Sequence, residues 1–135
     1  MHTISTIRSE TRTASIAAPP DAVFAVLADG ARLPEWAPAF APAAARDAGD
    51  RWWIGTGDAR FAIVLRADAG ARTVDLLSPD DPTRGAFLRV LPNARGAELL
   101  FTLFFGAGVE AAAVDAQMAT VEEELAAVGR LAVAA

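Results

Sequence analysis

The chain has 135 residues, 53% of them apolar and 21% charged, with a formal net charge of -5. This balance suits one domain with one core over residues 1–135 and excludes disorder. The acidic charge and the lack of a basic run argue against nucleic acid and anionic membrane surfaces. Cysteine and tyrosine are absent, and His2 is the single histidine. Disulfides, thiolate catalysis, Cys-ligated zinc and histidine-centred chemistry are therefore not expected, and neither a metal nor a cofactor is. No apolar run approaches about 20 residues, so no membrane-spanning helix is expected. Residues 1–13 are polar and lack the apolar stretch of a secretory signal, which makes the cytoplasm the expected location.

In chain order, residues 1–10 read as a loosely ordered N-terminus. Residues 11–17 alternate Thr11, Thr13 and Ser15 with Ala14 and Ile16, which predicts a first strand. Pro19 and Pro20 stop it, and Asp21 suits the first turn of a short helix with Val23, Phe24, Val26 and Leu27 as its apolar face. That helix ends near Asp29 and Gly30, and residues 32–36 form a second short helix halted by Pro38.

Strands follow. Residues 43–48 and 51–56 flank the turn signal Gly49–Asp50. Residues 60–68 place Phe61, Ile63 and Leu65 on one face, and residues 73–78 set Val74 and Leu76 opposite Asp75. After a loop at residues 79–82, residues 85–91 and 97–105 form a hairpin, the last strand carrying Leu99, Phe101, Leu103 and Phe105 on one face. Turns every 8–12 residues or so predict an antiparallel sheet.

Residues 108–133 then carry Val114, Met118, Val121, Leu125 and Val128 at spacings of four and three, one stripe on a long helix. Such a helix is marginal alone and needs a surface to lie on. Glu122, Glu123 and Glu124 read as its solvated flank and far side.

This layout resembles the SRPBCC superfamily, which includes START, Bet v 1-like and polyketide cyclase/dehydrase-like proteins. Ile16-Ala17-Ala18-Pro19-Pro20-Asp21-Ala22-Val23-Phe24 is similar to the family's junction from first strand to first helix. Asp29 to Trp36, DGARLPEW, is similar to its next helix. The resemblance covers nearly the whole chain from about residue 11 onward. It implies an α+β helix-grip fold: a curved antiparallel sheet of about seven strands wrapped on the C-terminal helix, with two short helices after the first strand. The fold carries many activities, so it does not name one.

The candidate site is an apolar pocket between sheet and helix, lined by Trp36, Phe40, Trp53, Phe61, Ile63, Leu65, Val74, Leu76, Phe101, Leu103, Phe105, Val114, Met118, Val121 and Leu125. The same residues also describe a filled core. Trp36 reads as a lid or, more readily, as a staple holding the short helices on the sheet. Trp52 and Trp53 are adjacent in a strand and must face opposite ways. The candidate polar anchors are Glu35, Asp75, Arg89 and Gln117. A small hydrophobic ligand is the expected partner, with no catalytic residue assigned. The alternatives are a cyclase/dehydratase-like enzyme using Glu35, Asp75 or Arg89, and a homodimer through the convex sheet face at Leu77, Leu100 and Phe104.

Overall fold

The computed structural model of the chain describes residues 3–135; His2 lies outside them. Strand β1 (Arg8–Ile16) leads into helix α1 (Pro20–Ala28), a 3-10 turn at Gly30–Arg32 and the single-turn helix α2 (Leu33–Trp36). Six strands follow: β2 (Ala44–Ala48), β3 (Arg51–Ile54), β4 (Phe61–Asp68), β5 (Thr73–Ser78), β6 (Asp81–Asn93) and β7 (Gly96–Phe105). Helix α3 (Ala111–Ala134) ends the chain. The strands form one antiparallel sheet in the order β1-β7-β6-β5-β4-β3-β2, so consecutive strands neighbour each other except that β1 closes onto β7.

Two strand starts differ from expectation by three residues or more. β1 starts at Arg8 rather than residue 11, because Arg8 and Glu10 pair with Phe105 and Leu103 and continue the ladder. β6 starts at Asp81 rather than residue 85, because Ser78 pairs with Asp81 and turns the anticipated loop into a tight hairpin.

Alternation decides what the sheet buries. The inner face carries Trp52 and Ile63, Leu65 and Leu76, Val74 and Leu88, Phe101, and Val90 with Leu99, each joined to the next strand by register. Onto it pack Val23, Val26 and Leu27 of α1 and Val114, Met118, Val121, Leu125 and Val128 of α3. Helix α3 lies over β1 and β7, and α1 lies over β5, β6 and β7. On the open edge strand β1 the inner face carries charge, which discourages pairing with a further strand. Glu10 bonds Arg8 and Arg12 at 3.2 Å each, and Arg12 reaches Glu122 of α3 at 3.3 Å.

Gly30 is required by packing. A Cβ there would meet the Trp52 indole, with Cδ2 and Cζ2 at 2.6 Å. The Asp29 carboxylate accepts from the Ala31 amide at 3.1 Å and starts the 3-10 turn that presents Gly30 to this ring.

Candidate functional site

The β4–β5 and β6–β7 ladders run to their turns at one end of the sheet and stop short at the other. Pairing of β4 with β5 stops at Val64 and Leu77, and pairing of β6 with β7 stops at Phe87 and Thr102. Beyond these points β4 pairs only with β3 and β7 only with β1, so the tip of the β5–β6 hairpin is bonded to itself alone. Gly85 holds the two arms of that tip together, since a Cβ there would strike the Leu76 carbonyl oxygen.

A cavity of about 990 Å³ occupies this splayed end. Its inner wall is made by Phe61, Ile63, Leu76, Phe101 and Leu103 of the sheet, and by Trp36, Ala37 and Phe40 of α2 and the segment after it. Phe40 and Phe61 meet edge to face at 5.6 Å, 39% and 45% exposed, and form its mouth. Arg51, Trp53, Ala62, Leu77 and Phe104 belong to the outer face by alternation. They enter the lining where the ladders stop, so the cavity opens around the hairpin tip. Ser78, Asp80, Thr83 and Arg84 of the hairpin make a polar rim.

Helix α3 contributes Gln117 and Glu124 to the lining, seven residues apart on one row of the helix. Glu124 is 6% exposed and is the one charged residue buried among the described residues. Burial pushes its carboxyl up to about 7, and the neighbouring charge of Glu123 adds to the shift. Trp36, also in the lining, is 1% exposed, and its indole Nε1 is sealed from solvent with no hydrogen-bond partner among the described residues. Trp36 and Glu124 also line a smaller recess of about 410 Å³ between α2 and α3, where Glu35, Thr120 and Arg130 lie.

No protein-family model matches the chain, and no curated protein is similar to it in sequence. Solved structures do match. XoxI from Bacillus cereus superposes with a TM-score of 0.73 at 14% identity, over 94% of this chain and 96% of that one. Ara h 8.0201 gives 0.66 at 12% identity, over 96% and 99%. The di-domain ARO/CYC BexL gives 0.66 at 19% identity, over 92% of this chain and 46% of its own length.

The chain has the helix-grip fold.

Within this helix-grip frame the sequence candidates separate into three groups. Trp36, Phe40, Trp53, Phe61, Ile63, Leu76, Phe101, Leu103 and Gln117 line the cavity. Leu65, Val74, Val114, Met118, Val121 and Leu125 do not; they are at most 6% exposed in the filled core. Leu65 and Val74 stand where the β4–β5 ladder is intact, and the α3 stripe is sunk against β1 and β7, so the neighbouring row faces the cavity instead. Phe105 is also outside the lining, partly buried beside the core.

Three polar candidates, Asp75, Arg89 and Glu35, lie outside the large cavity's lining as well. Asp75 faces outward and bonds Arg66, its cross-strand partner, at 2.9 Å. Arg89 is exposed on the same outer face, opposite Thr73 and Leu100. Glu35 is exposed and bonds Arg32 at 3.0 Å, on the groove side of α2. Glu124, which the sequence presents as part of a solvated run, is the buried cavity residue that pattern reasoning misses. A signal for it exists: it lies three residues after Val121 and four before Val128, both on the apolar stripe.

Proposed function

We propose that this chain binds a small hydrophobic molecule in the cavity at the splayed end of the sheet. The observation that carries this reading is the cavity itself. Its volume of about 990 Å³ and its wall of Phe61, Ile63, Leu76, Phe101, Leu103 and Trp36 fit the usual ligand site, apolar with few polar groups. The helix-grip likeness to Ara h 8.0201 and BexL supports this reading and a place among SRPBCC-like proteins.

Native mass spectrometry of the purified chain, before and after solvent extraction, tests it. A discrete added mass that disappears on extraction, or uptake of an added apolar compound, is the expected result. A chain that carries nothing and takes up nothing across a panel of apolar compounds would end the reading. The same spectra weigh the homodimer, whose mass would be twice that of one chain.

One observation favours a second reading, a cyclase-type enzyme. Glu124 is a buried carboxyl poised near neutrality within the cavity, and such a group can both take and give a proton at physiological pH. The likeness to the ARO/CYC BexL agrees with it. Turnover of a polyketide-like substrate that is lost in Glu124→Gln would support this reading; turnover unchanged in that variant would remove Glu124 from it.

A further inference from the structure

Register gathers three side chains on the outer face of the sheet. Trp53 pairs with Ala62. Arg51, two residues before Trp53, and Arg60, two residues before Ala62, therefore share its face. Both guanidiniums lie over the Trp53 ring, with Cζ 4.0 Å from its centroid for Arg60 and 5.5 Å for Arg51. Arg51 pairs with Asp47 at 3.1 Å. The Arg60 guanidinium enters no ion pair or hydrogen bond among the described residues, and Asp50 and Asp58 in the adjoining turns pair with neither arginine.

We propose that Arg60 and Arg51, held by Trp53, bind the carboxylate of an amphipathic ligand whose apolar body lies in the cavity, an assignment that rests on the cavity reading given above. Arg51 and Trp53 belong to the cavity lining with Ala62 and Leu77, and Phe61, next to Arg60 in sequence, stands at the mouth. An anion held here is thus continuous with apolar wall. The chemistry selects the group. A guanidinium set on an aromatic face keeps its N–H fork free, and that planar fork matches a carboxylate. Two positive charges share one ring and Asp47 offsets one, which leaves one uncompensated. A carboxylate supplies one negative charge. A phosphate monoester, with nearly two, would exceed it, and an amide or alcohol would leave it unanswered. Asp80 and Arg84 on the rim carry opposite charges and do not alter the count.

An exposed ion pair contributes little by itself, because long side chains must be ordered and salt screens the charges. Trp53 removes part of that cost, since a guanidinium already resting on a ring loses less freedom when an anion arrives. The apolar wall supplies the bulk of the affinity, and the arginines supply a preference among apolar compounds. The ligand lies with its carboxylate at the outer face and its apolar body inside.

The test uses β-naphthoate and β-naphthamide, alike in shape and different in charge, titrated by calorimetry into the native chain, Arg60→Gln and Arg60→Lys. Arg60 is exposed, so neither substitution touches the core. The native chain is expected to bind β-naphthoate about fivefold tighter than β-naphthamide at low salt, a preference of the size a charge-assisted pair at an exposed site supplies. Arg60→Gln should bring β-naphthoate down to the affinity of β-naphthamide. Arg60→Lys, which keeps the charge and loses the planar fork, should retain only part of the preference. In the native chain the preference should shrink from about 0.05 M to about 0.5 M salt. In proton–nitrogen spectra the Arg60 Nε signal should move with β-naphthoate and stay with β-naphthamide. Equal affinity of the two compounds for the native chain, or a preference kept intact in Arg60→Gln, would overturn the carboxylate site and leave the cavity reading standing. Binding of neither compound would overturn both.

Discussion

At the scale of single residues, three positions carry measurable consequences. Gly30 is in contact with the Trp52 indole, and both are buried. Gly30→Ala must displace that ring from a close-packed core, so a loss of about 1–3 kcal/mol is expected in urea denaturation. Ala94 is the reverse case. It turns the β6–β7 hairpin at a φ of 52°, a left-handed conformation that strains any residue with a Cβ. Ala94→Gly is expected to stabilise the chain by about 0.5–1 kcal/mol in the same measurement. Glu124 makes stability depend on pH. Its folded-state carboxyl is raised from 4.5 to about 7, so it costs nothing below the unfolded value. The cost then grows as pH rises through that interval and is complete above it. The native chain should lose stability relative to Glu124→Leu between about pH 5 and about pH 8. A difference between the two that does not change with pH would show that Glu124 is solvated.

At the scale of elements, the contrast lies between the laddered and the splayed ends of the sheet. The arms of β6 differ: Phe87, Leu88 and Arg89 pair on both sides, whereas before them Asp81, Gly85 and Ala86 pair with β5 alone. A segment bonded on one side opens at lower free energy than one bonded on both. Hydrogen exchange is therefore expected to be faster across residues 81–86 than across residues 87–89, and to slow in the former when a ligand fills the cavity. Uniform protection along β6 would contradict this. Helix α3 is fixed by its stripe rather than by its ends, since Glu110 caps no amide with its side chain. Leu125→Ala, which empties part of the filled core, should cost about 2–5 kcal/mol. Because Leu125 lies outside the cavity lining, that variant should leave the affinity for an apolar ligand unchanged so long as it stays folded.

At the scale of the whole molecule, the structure divides into a filled core and an open cavity. The α1–α3 side is close-packed around Leu27, Leu99, Val121 and Val128, each fully buried. The side under α2 keeps its volume open. A ligand that enters the cavity and ignores the unfolded chain raises stability by mass action, about 2.7 kcal/mol at a hundredfold excess over its dissociation constant. A rise in melting temperature that scales with the logarithm of ligand concentration is the expected signature. Among the described residues no helix is long and apolar enough to cross a membrane.

Much of the fold is legible in the sequence. The alternation of Phe61, Ile63 and Leu65, the turn at Gly49–Asp50, the proline punctuation after Ile16 and the stripe from Val114 to Val128 are local patterns, and local patterns set the elements and their order. The divergence of Trp52 and Trp53 also follows from alternation alone: Trp52 is buried against Gly30, and Trp53 stands on the outer face beneath Arg60 at 4.0 Å. The site is only half legible. Asp75, Arg89 and Glu35 have the chemistry of anchors, yet Asp75 and Glu35 have cross-strand or local arginine partners that draw them outward, and register puts Asp75 and Arg89 on the outer face. Glu124 sits in a run of three glutamates that looks solvated, and it faces inward because α3 settles with one row on β1 and β7 and the next over the gap. By itself, then, the sequence determined which segments are strands and helices and that an apolar face exists on each. The tertiary structure alone decided where the ladders stop, and so which part of that face is core and which is cavity, because pairing between strands distant in sequence depends on register and curvature that no local pattern carries.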